Sequence, residues 1–291
     1  MTATLRVVFL RYGHTHHARA MAALRENILA PAFDRVPTDV VVVDNAEPPE
    51  QVSCTPEGFV LIGGDNRQRE FSGWEKGLDW LVCRDFSPED AVLLCNDTFH
   101  RNFDLDYLHR FGQEPVAQWL DSGGLVGHVD LYPREITLFG LPMRFWLRTS
   151  FVLARWDTLS RLLPLAVDCG EAREPRDAPD AIFHPDPGLF FNPDGPLSPQ
   201  YQSYLKSYLL GSPGEYEARW HTRADVPDGD AAALRRLREK AACIVREHLL
   251  SARARALGIA LCDVSGKLAQ RVAIMDAMAQ KHGVEAHHAG G

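Results

Sequence analysis

Residues 91–98 read AVLLCNDT: a run of five apolar residues, Ala91 to Cys95, that breaks abruptly into Asn96, Asp97 and Thr98. An uninterrupted apolar run of this length has the pattern of a strand covered on both faces, as in a parallel sheet. Three earlier runs end in the same way. Leu5–Arg11 (LRVVFLR) leads into the polar loop Tyr12–His17 and a helix-period stretch through Leu29. Val40–Val43 ends in Asp44 and Asn45, and Phe59–Ile62 ends in Gly63, Gly64, Asp65 and Asn66. Between the third and fourth runs, Glu70–Cys83 carries Phe71, Trp74, Leu78 and Leu81 at spacings of three and four, which predicts an amphipathic helix with Trp74 and Trp80 in the core. Strand alternating with helix predicts a doubly wound α/β fold with a mostly parallel sheet and helices on both faces. Ligands of such sheets sit beyond the carboxyl ends of the strands, where Asp44, Asp65, Asn66, Asn96 and Asp97 gather.

Beyond Gly124 the pattern shortens. Leu125–Val129, Ile136–Phe139 and Ser150–Ala154 are strand-like pieces separated by Pro133, Gly140 and Pro142, and they are expected to continue or flank the sheet. Cys169–Pro199 is rich in Pro, Asp and Gly and reads as an irregular crossing. From Asp230 to Gly258, Leu234, Leu237, Ala241, Val245, Leu249, Ala252 and Ala256 form one helical stripe, with Arg and Lys dominating the rest; a second helix is expected over Lys267–Gln280. The expected organisation is one domain over residues 1–225, its nucleotide half about 1–120 and its acceptor half about 121–225, followed by a helical extension over 226–291.

The 291-residue chain is 45% hydrophobic and 24% charged, ordinary globular values. A net charge of -8 gives no general footprint for nucleic acid. Six widely spaced cysteines form no CxxC pair, so zinc and disulfide chemistry are not indicated and a reducing, cytoplasmic setting is expected. No segment approaches the roughly 18 apolar residues of a membrane span. The basic residues of the C-terminal helix, Arg235, Arg236, Arg238, Lys240, Arg246, Arg253 and Arg255, would suit either a solvated face packed on the core or a peripheral contact with an anionic membrane.

At the Asn96-Asp97 corner a carboxylate can hold a hard divalent ion against two phosphate groups, or can merely cap the next turn. His14, His16 and His17 lie past the first strand, where a phosphate, ribose or metal could be approached, or where they are simply solvated. Trp119, Trp146 and Trp156 are either core residues or stacking faces for a sugar ring.

The order LRVVFLRYGHTH, VVVVDNAEPP, LIGGDNRQREFSGWEKGLDWL and DAVLLCNDTF resembles the amino-terminal half of GT-A type glycosyltransferases, particularly those akin to rhamnan synthesis protein F. LLCNDT is similar to that family's version of the aspartate-x-aspartate metal motif, with Cys95 at the first carboxylate. Gly127-His128-Val129-Asp130 falls where the family has an aspartate near the acceptor. The segment Trp146–Phe151, and Phe191-Asn192-Pro193 followed by Tyr204-Leu205-Lys206, extend the likeness to about residue 210. The resemblance implies a Rossmann-like GT-A core. It also implies transfer of a sugar from a nucleoside diphosphate donor to a glycan or lipid-linked hydroxyl acceptor, in bacterial surface polysaccharide synthesis.

On that reading Asp97 holds a magnesium or manganese ion and Asn96 assists it. Asp44, Asp65 and Asn66 hold the nucleoside, Arg148 faces a phosphate, and Asp130 is the general base of an inverting transfer, in competition with Asp121, Glu135 and Asp168. The alternative is a noncatalytic nucleotide- or glycan-binding module that kept the fold after losing a full metal motif.

Overall fold

The computed structural model describes residues 3–13, 15, 17–83, 85–101, 106–168, 182–184, 186, 189–211 and 231–277. In chain order the elements are β1 (Leu5–Arg11), α1 (His17–Leu24) continued by a π-helical turn and α2 (Ala30–Phe33), β2 (Thr38–Asp44), β3 (Val52–Cys54), β4 (Val60–Gly63), α3 (Glu70–Val82) and β5 (Ala91–Asn96). There follow α4 (Gln113–Asp121), β6 (Leu125–Gly127), β7 (Val129–Leu138), β8 (Leu141–Leu147), β9 (Phe151–Arg155), α5 (Trp156–Leu159), α6 (Pro199–Leu210), α7 (Ala231–Ala256) and β10 (Leu261–Asp263). Residues 268–277 are again helical.

Eight strands form one sheet in the order β10-β6-β9-β5-β1-β2-β4-β3. β5, β1, β2 and β4 run parallel, as the four apolar runs predict, while β9 lies antiparallel between β5 and β6. β1 sits at the centre and its seven residues are all buried, because successive side chains enter opposite cores. Leu5, Val7 and Phe9 pack on Met21, Leu24 and Ile28 of the first helical segment. Val8 and Leu10 pack on Phe71, Trp74 and Leu78 of α3. The chain thus leaves β1 over one face toward β2 and returns over the other face to β5, which makes the carboxyl edge between β1 and β5 a topological switch point.

Ile136–Phe139, expected to continue or flank the sheet, does not extend it: it belongs mostly to the ten-residue β7, which pairs with β8 in a separate two-stranded sheet. Pro133 and Pro142 hid this long hairpin from a reading of periodicity. Of the expected extension, the described residues 231–277 pack into the fold. β10 completes the main sheet beside β6, and α7 supplies Leu237, Ala241, Val245 and Leu249 to the core under the β7–β8 hairpin and Leu250 and Ala254 to the α3 side of the main core. Finally, Trp74 is buried but Trp80 is surface-exposed, since six residues of helix turn Trp80 well away from the α3 face that meets the sheet.

The basic residues of α7 are largely committed to holding it in place. Arg253 donates to the carbonyls of Leu162 and Pro164, Arg238 to that of His184 and Arg246 to that of Val167, and Arg255 pairs with Glu135. Of the other three, Arg235 and Arg236 are exposed and Lys240 is half-buried. No helix among the described residues is long and apolar enough to cross a membrane.

α3 can approach β1 closely because Gly77 faces it. A Cβ at Gly77 would lie 2.3 Å from Val8 Cγ1 and 3.1 Å from Val43 Cγ2, and both valines are wholly buried. Gly77→Ala gains about 1 kcal/mol of helix propensity. It also overpacks a filled core, at about 1–3 kcal/mol. The second effect wins because neither valine can turn into space. We expect Gly77→Ala to lower stability by about 1 kcal/mol, measured as a reduced urea midpoint at constant m.

Candidate functional site

The carboxyl edge at the β1/β5 switch point is organised by a buried ion pair. Arg11, the last residue of β1, donates from Nε to Asp44 Oδ2 at 2.6 Å, and both side chains are almost fully buried. Asp44 Oδ1 accepts the backbone N–H groups of Gly13 (2.8 Å) and Ala46 (2.9 Å). The Asp44 carboxylate is therefore spent on shaping the β1 and β2 loops, and the expectation that it holds a nucleoside gives way to this structural role.

What it positions is Tyr12, 63% exposed at the tip of β1. The Tyr12 N–H donates to Asp97 Oδ2 at 3.3 Å, and the Asp97 N–H donates to the Leu10 carbonyl at 2.9 Å, so Asp97 stands across the switch point from Tyr12. Asn96 behaves as a capping residue. Its Oδ1 accepts from Thr98 N and Oγ1 at 3.1 and 2.8 Å, and its Nδ2 donates to the Thr149 carbonyl at 3.1 Å. Cys95 is fully buried, and burial followed by the Asp97 charge pushes its thiol far above the ordinary range. Neither neighbour can supplement Asp97 as an anionic ligand.

Among the described residues no three His, Cys, Asp or Glu side chains gather as a metal cage. The donor set here, one carboxylate on an open edge, fits a hard ion that brings phosphate oxygens and water with it; it does not fit a resident ion.

Asp65 and Asn66 share the rim at the end of β4. Burial raises the Asp65 carboxyl, but hydrogen bonds from the backbone and side chain of Arg67 and from Ser72 outweigh it and hold the group low. Asn66 adopts φ +51 and its Oδ1 accepts from Asn45 Nδ2 at 3.2 Å. Of the histidines past β1, His14 and His16 lie outside the described residues. His17 is buried against Phe9 with Nε2 3.4 Å from Glu57, which removes it from the open edge.

A second cluster adjoins the first through Tyr107, which stacks on Phe151 and lies near both Cys95 and Arg148. Arg148 contacts Asp130 Oδ2 at 2.6 Å, and Arg271 contacts Asp130 Oδ1 at 3.1 Å. Asp130, expected as the general base, is held between two guanidinium groups, one on each carboxylate oxygen. His128 accepts from Arg271 at 3.0 Å; burial and then the Arg148 charge lower it to about 4, so it is neutral there. Of the competing carboxylates, Asp121 and Asp168 are exposed and Glu135 pairs with Arg255. Trp146 packs on Tyr132 and His248, Trp119 on Phe111 and Trp156 on Phe86, so the three tryptophans serve the core.

No protein-family model matches the chain, and no curated protein is significantly similar to it. The site has to be read from its own geometry.

Two groups escaped the sequence reading. Tyr12 carried a faint signal, an aromatic residue directly after an apolar strand. Glu70 and Glu247 carried none, being separated by a long stretch of chain. Thr149 Oγ1 lies 3.1 Å from Glu70 Oε1 and 2.6 Å from Glu247 Oε2, and its N–H donates to the same Glu247 oxygen at 2.8 Å. Beside Glu247, His248 is enclosed, with Nδ1 3.1 Å from the Tyr132 hydroxyl and 2.6 Å from that of Tyr201.

Burial lowers His248 to about 3. In the unfolded chain an ordinary histidine takes up its proton near pH 6.5. Between these values the unfolded state binds more protons, so stability falls as pH falls, by about 1.4 kcal/mol per unit from this residue alone. We expect folding stability to drop from pH 6.5 toward pH 4, and His248→Gln to flatten that slope in urea titrations across the range.

Proposed function

We propose that the chain is a glycosyltransferase of GT-A type that takes a nucleoside diphosphate sugar as donor and a glycan or lipid-linked hydroxyl as acceptor, as in bacterial surface polysaccharide synthesis. The observation that carries this reading is the β1/β5 switch point, where exposed Tyr12 adjoins the carboxylate of Asp97 at the strand-end edge that binds nucleotides in doubly wound sheets. The mixed, mostly parallel sheet with helices on both faces is the architecture that the resemblance to glycosyltransferases implies.

In the proposed site the Tyr12 ring offers a face for the base. Asp65 and Asn66 lie toward the nucleoside, and Asp97 holds magnesium or manganese against the diphosphate with Asn96 shaping the turn. The metal would neutralise charge growing on the departing diphosphate. Arg148 bridges toward the acceptor side, anchored by Asp130, and its planar fork is suited to a phosphate oxygen.

A second reading, a noncatalytic nucleotide- or glycan-binding module, is favoured by one observation: burial of Cys95 leaves Asp97 as the single ionised side chain of the corner.

Calorimetric titration of UDP, GDP and dTDP with manganese, magnesium or chelator tests the donor site. The parent should bind with metal and lose most affinity in chelator. Asp97→Asn should stay folded by circular dichroism, bind roughly tenfold or more weakly, a loss of about 1.4 kcal/mol, and show no metal dependence. Nucleotide binding without sugar transfer would select the noncatalytic module, and no binding by the parent would remove the donor site.

A further inference from the structure

Glu247 projects from α7 onto Thr149 in the turn between β8 and β9. Its Oε2 is fixed by two donations from Thr149, the backbone N–H at 2.8 Å and the hydroxyl at 2.6 Å, and its Oε1 has no hydrogen bond among the described residues, the nearest cation-forming atom being His248 Nε2 at 3.9 Å. The side chain is 22% exposed. The Thr149 carbonyl in turn accepts from Asn96 Nδ2, in the turn that carries Asp97. One short relay of hydrogen bonds therefore ties the Glu247 carboxylate to the corner where a donor diphosphate would lie. Asp130 is paired with two arginines; Glu247 faces no arginine at hydrogen-bond distance among the described residues.

We propose that Glu247 is the catalytic base, with Oε1 receiving the proton of the acceptor hydroxyl. The assignment rests on the glycosyltransferase reading. As the acceptor oxygen forms its bond to the anomeric carbon of the nucleoside diphosphate sugar, the bond from that carbon to the diphosphate oxygen breaks. The electron pair leaves with the diphosphate, and the acceptor proton passes to Glu247. Attack from the face opposite the leaving group inverts the anomeric centre.

The surroundings suit a carboxylate that must take up a proton. Burial first, and the charge of Glu70 among the remaining causes, raise Glu247, while the Thr149 hydrogen bonds and Lys240 oppose the rise. The titratable groups facing it are Glu70 from α3, Tyr132 from β7, Tyr204 and Tyr208 from α6, and Lys240 and His248 of its own helix. Glu70 shares the Thr149 hydroxyl with Glu247, so two carboxylates meet at one donor and the ionisation of one disfavours that of the other.

The test measures release of nucleoside diphosphate from UDP-, GDP- and dTDP-linked sugars, with water as acceptor, across pH on the full chain. Glu247→Gln should keep nucleoside diphosphate affinity within about twofold and lose roughly 10²- to 10⁴-fold in turnover. It should also lose the acidic limb of the parent profile, where rate falls as Glu247 is protonated. Glu70→Gln removes a like charge, so the acidic limb should move to lower pH. This second variant decides the matter if Glu247→Gln does not fold. A parent that turns over donor, with Glu247→Gln at the parental rate or a Glu70→Gln limb that does not move, overturns the base assignment and leaves the function standing. A parent that binds and turns over none of the donors overturns both.

Discussion

The Arg11–Asp44 ion pair is the constraint on which the carboxyl edge depends. Both charges are out of water, so removing either one alone strands the other, at about 3–5 kcal/mol. Their mutual attraction is not the main return, since a well-packed apolar pair of the same volume could match it. The return is geometric. With one Asp44 oxygen held by Arg11, the other must face the N–H groups of Gly13 and Ala46, which defines the exits of β1 and β2 together. Tyr12 is then forced outward, and its N–H is left to meet Asp97. A buried salt bridge here acts as a jig for an exposed aromatic ring.

α7 closes the structure in a comparable way. It crosses from the core beneath the β7–β8 hairpin to the core on the α3 side of the sheet, so neither is complete without it. Its arginines bind carbonyls of the 162–168 segment, backbone groups that the irregular chain there cannot satisfy internally. The same helix brings Glu247 to Thr149 and pairs Glu239 with Arg69 near the start of α3. The C-terminal part of the chain is thus a wall of the candidate site, and truncation before residue 231 would remove that wall along with the tail.

Charge is partitioned across the two clusters. Arg148 and Arg271 surround Asp130 on one side, where burial and then the Arg148 charge keep His128 neutral, while Glu70 and Glu247 share a neutral threonine on the other. On the proposed reading, surroundings of opposite character separate an anion-holding role from a proton-accepting role. Environment decides which carboxylate does which task, since Asp130 and Glu247 are chemically alike.

The sequence by itself determined the central sheet: four apolar runs, each ending in polar residues, are the four parallel strands β1, β2, β4 and β5, and the spacing of Phe71, Trp74, Leu78 and Leu81 is α3. These signals are local, since burial on both faces of a strand or one face of a helix writes itself into consecutive positions. Asp65, Asn66, Asn96 and Asp97 were legible for the same reason, as strand-end residues whose edge follows from strand direction. Only the tertiary structure decided that Asp44 is consumed by Arg11, that Asp130 is clamped by an arginine 141 residues away, and that Glu70 and Glu247 converge on Thr149. The pairing of distant charges leaves no periodic trace. It depends on where helices land after packing, and a glutamate on a basic helix looks the same in sequence whether it meets solvent or a buried threonine.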